Sequence, residues 1–416
     1  MREVCTRGSA HRAPAPGLLS YLFPQVVFSV NSTTAKAGAG AVRRPGPAAL
    51  LVIGAAVAAA TLLVTTSAGA KTFAPRHHKI FHGVSDTSSN HDFHRFARRV
   101  GAHPAVLEDF YHWDTPLTTG ALKRWRKTRT RGVLSLSTAP GGGSEMISPR
   151  QIAKGKGDHY LVRLNQSIAR SGQVVYIRPF PEMNGSWNPY SAYNANGTRK
   201  GKSHSTRNFR RAWRRMVMIV RGGKVKKINK RLRKRDMPRV LRARSNHAPT
   251  YRRHNVHGRL KHAKVSFVWT PQTIGSPALR GNRPGAYWPG RRYVDWVGAD
   301  IYSKFATPGI WSAFKHFYHR WRHQPFVVGE YSPWDNDYSG HFTHKLFRWA
   351  EHHRRVRMLI YYRSVAPNTI YDINHWPRAR KVIRHQLNKH RFAPYAPHVR
   401  HRGHHHRHRH PGGTAR

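Results

Sequence analysis

The chain has 416 residues, with 74 Lys and Arg against 17 Asp and Glu and a formal net charge of +57. That length allows one large domain with tails, or two domains. So high a charge implies attraction to polyanions (nucleic acid, anionic membrane surfaces, acidic cell-wall polymers) and says nothing about fold. A single cysteine, Cys5, excludes a disulfide framework, a cysteine-based zinc site and a thiol nucleophile.

Residues 1–41 are rich in Ala, Gly, Pro and Ser and carry no sustained periodicity. They are expected to be disordered, or to reflect a start site assigned upstream of a true start near Val42. Residues 49–66 form a nearly unbroken apolar run, preceded by Arg43 and Arg44 and followed by Ser67-Ala68-Gly69-Ala70. A basic region, an apolar core and a small-residue cleavage site describe a secretory signal peptide over 42–70. Cleavage after Ala70 leaves a chain starting at Lys71, secreted or held at the cell surface. The run is also long enough to span a bilayer, so the alternative is a membrane anchor at residues 49–66.

From Lys79 onward, short β-like runs alternate with helical stretches, the signature of repeated β/α units on a parallel sheet. Lys79 to Gly83 is a weak first strand, and Phe93, Phe96 and Val100 give the helix after it. Ala105 to Tyr111 and Gly132 to Ser137 are the second and third strands. Leu161, Leu164 and Ile168 mark a helix face closed by Ser171-Gly172. The fourth strand, Val174 to Ile177, stops at Arg178 and opens into a turn carrying Glu182, Asn184, Gly185 and Trp187. Ser205 to Arg221 is an amphipathic helix, with Phe209, Trp213, Met216, Val217 and Val220 on one face and Arg on the other.

Residues 224–264 break the rhythm. They are dense in Lys, Arg and His, hold few large apolar residues, and read as a basic insertion lying over the surface. The insertion lacks the aromatic interleaving of a base-stacking module, so nucleic acid is not the expected partner. Val265 to Trp269 is the fifth strand, and no helix is predicted between it and the sixth, Val294 to Ile301. Phe314, Phe317, Tyr318 and Trp321 form the next helical face. Phe326 to Gly329 is the seventh strand, ending at Glu330. Leu346, Phe347 and Ala350 carry a helix, Met358 to Tyr362 is the eighth strand, and a last helix covers Pro377 to Lys389. Residues 391–416 are almost wholly Arg, His, Pro and Gly. His404, His405 and His406 invite a metal-binding reading, but a solvated polycation accounts for them more simply.

Eight strands with mostly helical links point to a (β/α)8 barrel over residues 71–390. The alternative, a doubly wound open sheet, usually carries a Gly-rich phosphate turn after its first strand, which is missing. In a barrel, Glu182 and Glu330 both sit at the C-terminal face, on strands lying nearly opposite one another. A carboxyl pair flanking a substrate is what glycosidic bond cleavage requires, one protonated as acid and one ionised as nucleophile or base. Arg178 is placed to keep a carboxylate ionised. Asn184 is a candidate for a sugar hydroxyl, and Tyr302 for a hydrogen bond that fixes Glu330. Trp187, Trp269, Trp288 and Trp334 are candidate platforms for the apolar faces of pyranose rings. No metal or organic cofactor is implied, and a monomer is expected.

The blocks RPFPEMNGSW, FVWTPQ, YWPGRRYVDWVGADIY and PFVVGEYSPW, in this order, resemble the signature blocks of glycoside hydrolase family 26, the β-mannanase-like (β/α)8 glycosidases. The resemblance covers most of residues 79–390 and implies a retaining double displacement. It makes Glu182 the acid/base and Glu330 the nucleophile, with Tyr302 supporting the nucleophile and Trp187 in the subsite region. One departure bears on substrate: family members with mannanase activity carry His just before the acid/base, and here that position is Pro181. Tyr361 and Tyr362 also stand where a Trp platform is expected. The alternative function is a non-catalytic polyanion- or polysaccharide-binding protein on a degenerate barrel. The insertion and tail are candidate tethers to anionic cell-envelope polymers in either case.

Overall fold

The β-branched and aromatic runs form eight strands: β1 (Ile80–Ser85), β2 (Val106–His112), β3 (Arg131–Ser137), β4 (Val175–Pro179), β5 (Val265–Trp269), β6 (Trp296–Tyr302), β7 (Phe326–Ser332) and β8 (Val356–Tyr361). Each pairs in parallel with the next, and β8 pairs back onto β1, with Phe81 opposite Met358 and Val84 opposite Tyr361. The sheet thus closes into a (β/α)8 barrel. The computed structural model describes residues 72–85, 89–117, 120–240, 258–334, 339–364 and 370–396. The apolar run at 49–66, the centre of the basic insertion and most of the His-rich tail lie outside them. Among the described residues no helix is long and apolar enough to cross a membrane.

Side chains alternate across each strand, so every second residue faces the barrel interior. One buried cluster takes a residue from every strand: Phe81, Val106, Val133, Tyr176, Val268, Trp296, Val327 and Met358. Two to four positions further along, the same registers turn polar, at Glu108, Ser135, Arg178 and Thr270, all buried, and at Asp300, whose side chain is 1% exposed. The lower barrel is packing and the upper barrel is charge. Below the apolar layer, Phe73 O accepts from Arg131 Nη1 at 2.6 Å and from the Tyr176 hydroxyl at 2.7 Å, while Trp296 Nε1 donates to Thr72 O at 2.7 Å. The chain just before β1 therefore seals the bottom of the barrel.

The helices are α1 (Asn90–Val100), α2 (Ala121–Lys127), α3 (Pro149–Ala153), α4 (Asp158–Ser171), α5 (Thr206–Arg221), α6 (Val225–Arg233), α7 (Pro308–Arg320), α8 (Ser339–His352) and α9 (Pro377–Leu387). Ser89 caps α1 by accepting from Asp92 N at 3.1 Å, and Gly101 ends it in the left-handed region at φ 68°, where glycine avoids the Cβ clash. In α5 the predicted apolar face is fully buried, but Arg215 is buried too. Its Nε donates to Asp158 Oδ1 of α4 at 2.6 Å and its Nη1 to Pro238 O at 2.9 Å. An arginine expected on the solvent face instead joins two helices to the chain beyond α6.

One stretch differs from the sequence reading. The stretch read as basic insertion contains α6, which buries Val225, Ile228 and Leu232. Three apolar residues at helical spacing suffice to seat one face while Lys and Arg cover the rest. The short strands Gly223–Lys224 and Arg259–Leu260 pair antiparallel at its base. Between β5 and β6 there is no α-helix, as expected, only three 3-10 turns at Arg280–Asn282, Pro284–Tyr287 and Arg291–Tyr293.

Strand β7 carries an irregularity that the sequence does not announce. From Val328 to Tyr331 it advances three residues, while β6 advances two, from Ala299 to Ile301, and β8 two, from Leu359 to Tyr361. The extra residue falls at Gly329-Glu330. Such bulges bend a strand and re-aim a side chain.

Candidate active site

Arg178, near the end of β4, is the centre of the polar layer, with 1% of its surface exposed. Its Nε donates to Thr270 Oγ1 at 2.7 Å, and its Nη1 donates to Glu330 Oε1 at 2.6 Å and to Glu108 Oε1 at 3.2 Å. Its Nη2 donates to Asp300. These carboxylates raise the guanidinium well above its ordinary range, against burial, which alone would lower it. Ser135 Oγ donates to Glu108 Oε1 at 2.6 Å and completes the floor.

Glu330 sits on the bulge of β7 and is 8% exposed. One carboxylate oxygen takes the Arg178 bond, and the other accepts from the Tyr302 hydroxyl of β6. Two donors, one on each oxygen, fix the orientation of this carboxylate. Gly329, next to it, has no room for a side chain: a Cβ there would lie 2.7 Å from Asp300 Oδ1 and 3.2 Å from Arg178 Cζ. Glycine at this position lets the guanidinium and Asp300 approach the β7 backbone.

Glu182 follows β4 in a conformation unusual for a non-glycine residue. Both it and Phe180 have positive φ, 49° and 54°, on either side of Pro181. The surroundings hold this backbone from several directions. Phe180 N donates to Leu136 O at 2.8 Å, Glu182 N to Thr270 O at 2.8 Å, the Tyr190 hydroxyl to Pro181 O at 2.7 Å, and Asn188 Nδ2 to Glu182 O at 2.9 Å. Strained backbone of this kind persists only where its neighbours determine it. The Glu182 carboxyl is pushed up to about 8, first by burial and then by the charge of Glu330, with Arg178 and a Gln272 hydrogen bond pulling the other way. Glu182 and Glu330 therefore sense each other's charge across the mouth.

Glu108 and Asp300 are parts of the site that the sequence reading missed. Burial comes first in pushing Glu108 up to about 7, opposed by Arg178 and aided by Glu330. Burial likewise raises Asp300 well above the usual carboxylate range. The available signal was an acid on the interior register of a strand in a chain poor in acids. Glu108 in β2 and Asp300 in β6 both meet that description.

Arg178 has four of its five N–H groups committed to Thr270 and three carboxylates, so it holds the acids, as expected, and has little left for substrate. Two residues proposed as sugar contacts are placed elsewhere. Asn184 is fully buried and clamps the loop, donating to Gln272 O at 3.0 Å and accepting from Gln272 N at 2.8 Å. Trp269 is fully buried among Trp288, Phe317 and Trp321, with ring centroids at 4.9, 5.8 and 4.9 Å. As the last residue of β5 it points into the helix layer, one register step away from the mouth.

Trp187 and Trp334 are half-buried at the mouth. Trp334 belongs to an aromatic wall around Glu330. Its ring centroid lies 5.5 Å from Tyr302 and 5.2 Å from Tyr371, and Tyr362 stands 4.9 Å from Tyr371 and 5.9 Å from Tyr302. Of the two strand-eight tyrosines, Tyr362 joins this wall, whereas Tyr361 is buried and donates to Tyr371 O at 2.9 Å. Among the described residues no cluster of three His, Cys, Asp or Glu is arranged to hold a metal ion.

No family model matches the chain, and no curated protein matches it. Several solved structures are similar to it. A Cellulomonas fimi endo-β-1,4-mannanase double mutant is 13% identical, covering 76% of this chain and 72% of its own, at a TM-score of 0.49. A Bacillus subtilis mannanase is 17% identical over 71% of this chain and 83% of its own, at 0.42. A GH26 β-mannanase from Bacteroides ovatus is 12% identical over 76% and 90%, at 0.44.

Proposed function

We propose that this chain is a secreted, retaining glycoside hydrolase that cleaves a β-linked polysaccharide by double displacement. The observation that carries the reading is the unequal setting of two neighbouring carboxyls. Glu330 is bonded by Arg178 and Tyr302, while Glu182 is pushed up to about 8. Glu330, anchored by two donors, is placed as the nucleophile, and Glu182, which keeps its proton near neutral pH, as the acid, the division of labour that glycoside cleavage needs.

In the first step the Glu182 proton passes to the glycosidic oxygen as that bond breaks, and a Glu330 oxygen bonds to the anomeric carbon. Forming the glycosyl-enzyme consumes the charge on Glu330. One of the two forces holding the Glu182 proton is thereby removed, and Glu182 becomes a base. It then takes a proton from water, which attacks the anomeric carbon and frees Glu330. Two inversions give net retention. Tyr302 and Arg178 stay on the nucleophile throughout and keep it from rotating. Trp187, Trp334 and Tyr362 supply faces for sugar rings along the cleft.

The resemblance of four sequence blocks to glycoside hydrolase family 26 supports this reading. Pro181, whose carbonyl is held by Tyr190, leaves mannan as one candidate among β-linked glycans. Secretion is supported by the basic, apolar and small-residue order of residues 43–70. The test is reducing-end release from mannan, glucomannan, mixed-linkage β-glucan and xylan. Glu182→Gln is expected to lower turnover on the cleaved polymer by about 10²–10⁴. Undiminished turnover in that variant, or no release from any polymer, overturns the proposal.

A further inference from the structure

On the flank of the barrel, α1 and α9, which follow the adjacent strands β1 and β8, lie side by side. Between them runs a groove of about 710 Å³ whose walls are almost entirely cationic. Arg95, Arg98 and Arg99 line one side, and Arg380, Lys381 and Arg384 the other. On each helix two arginines stand four residues apart, about 6 Å along the axis. Each wall is thus a short row of positive charge facing a similar row.

The charge is not balanced locally. Arg95 bonds Asp92, and Arg99 reaches Asp372 at 3.3 Å. The same two carboxylates also face Arg363, which donates to Asp92 Oδ1 at 3.0 Å and lies 3.9 Å from Asp372 Oδ2. Two acids therefore serve three arginines. Arg98, Arg380, Lys381 and Arg384 have no carboxylate partner among the described residues. Burial, together with Arg95 and Arg363, lowers the Arg99 guanidinium from its ordinary value, against Asp372.

We infer that this groove is a binding site for a phosphodiester-linked anionic polymer without bases, of the poly(glycerol phosphate) kind. The two walls decide for phosphate. The two free oxygens of a phosphodiester diverge tetrahedrally from phosphorus, so one phosphate can accept from α1 and α9 together. A carboxylate is planar and presents both oxygens to one guanidinium. No aromatic side chain lines the groove, so there is nothing on which a nucleobase could stack. The occupant removes the repulsion between the rows and fixes the enzyme's flank to an anionic polymer while the mouth stays open.

The experiment measures affinity of the full-length purified protein for poly(glycerol phosphate) across a salt series. It compares Arg98→Glu/Arg380→Glu/Arg384→Glu with a control of equal charge change on exposed α6, Lys226→Glu/Lys227→Glu/Lys230→Glu. The groove variant is expected to bind at least about tenfold more weakly and to lose about 2 from the slope of log K against log salt, with the control near wild type. A Gln version of the groove variant, with a melting temperature near wild type, must lose binding in the same order if the Glu version folds poorly. Polysaccharide turnover by the folded variants stays unchanged, which separates this site from the catalytic pair. Equal losses in groove variant and control overturn the inference, because binding then follows net charge alone. So does equal affinity for a polyuronate or for single-stranded DNA at matched ionic strength.

Discussion

Replacing Glu330 by Gln removes one charge and leaves the shape of the side chain. It tests directly whether the two carboxyls share a cleft. Glu182 is pushed up to about 8 by burial first and by Glu330 second. For carboxyl groups at the retaining separation of about 5.5 Å and an effective dielectric of about 20, their repulsion is about 3 kcal/mol, or about two pKa units. The Glu182 midpoint is therefore expected to fall from about 8 toward about 6 in Glu330→Gln. Arg178 then keeps one fewer negative partner, which acts in the same direction. Carbon-13 NMR titration of the labelled Glu182 carboxyl in both proteins reads the shift. A midpoint that stays near its original value refutes the electrostatic coupling and, with it, the switch of Glu182 from acid to base.

Three further outcomes follow from the same geometry. Glu182 and Glu108 are raised, to about 8 and about 7, so their contribution to stability is complete at low pH and is lost as pH climbs through those values. His82, buried and lowered to about 3 from 6.5, acts in the opposite sense and only below 6.5. Between pH 6.5 and 8 the carboxyls act alone: the melting temperature should fall over that range, and Glu182→Gln should flatten the decline by an amount on the order of 1–2 kcal/mol. Gly329→Ala places a methyl 2.7 Å from Asp300 Oδ1. It should cost about 1–3 kcal/mol in chemical denaturation and lower kcat more than it raises KM; a wild-type kcat would show that the Arg178–Asp300 packing does not position Glu330. Trp269→Ala should destabilise by about 3–5 kcal/mol with KM unchanged, whereas Trp334→Ala should raise KM at little cost in stability; the reverse pattern would exchange their roles.

The eight strands were legible because parallel barrel strands are buried on both faces and read as unbroken apolar runs. Val265–Trp269 is the clearest, running from Val265 to Trp269 in both sequence and structure. The weak points are short or basic elements. Ala121–Lys127 has only Ala121, Leu122 and Trp125 buried, and α6 shows its apolar face only when Lys and Arg are ignored. At the site, the sequence placed Glu182 just past a strand, in a turn-like stretch, and Glu330 at the end of an apolar run, although β7 continues two residues further, to Ser332. It did not show that Asn184 points inward, since an amide in a turn beside glycine ordinarily faces solvent. Nor did it show Trp269 turning outward. That depends on strand register, and one residue of slip reverses the face. The bulge at Gly329-Glu330 leaves no compositional mark beyond the glycine itself.

The central claim is that Glu330 forms the covalent bond and Glu182 moves the proton. The direct measurement uses the Glu182→Gln variant with an activated aryl glycoside of the sugar that the polysaccharide panel identifies. Such a leaving group needs no proton to depart, but the second step still needs the missing base. Peptide mass spectrometry of the quenched reaction should find one glycosyl unit on the peptide carrying Glu330. A glycosyl unit on any other residue, or steady turnover with no modified peptide, would contradict the assignment.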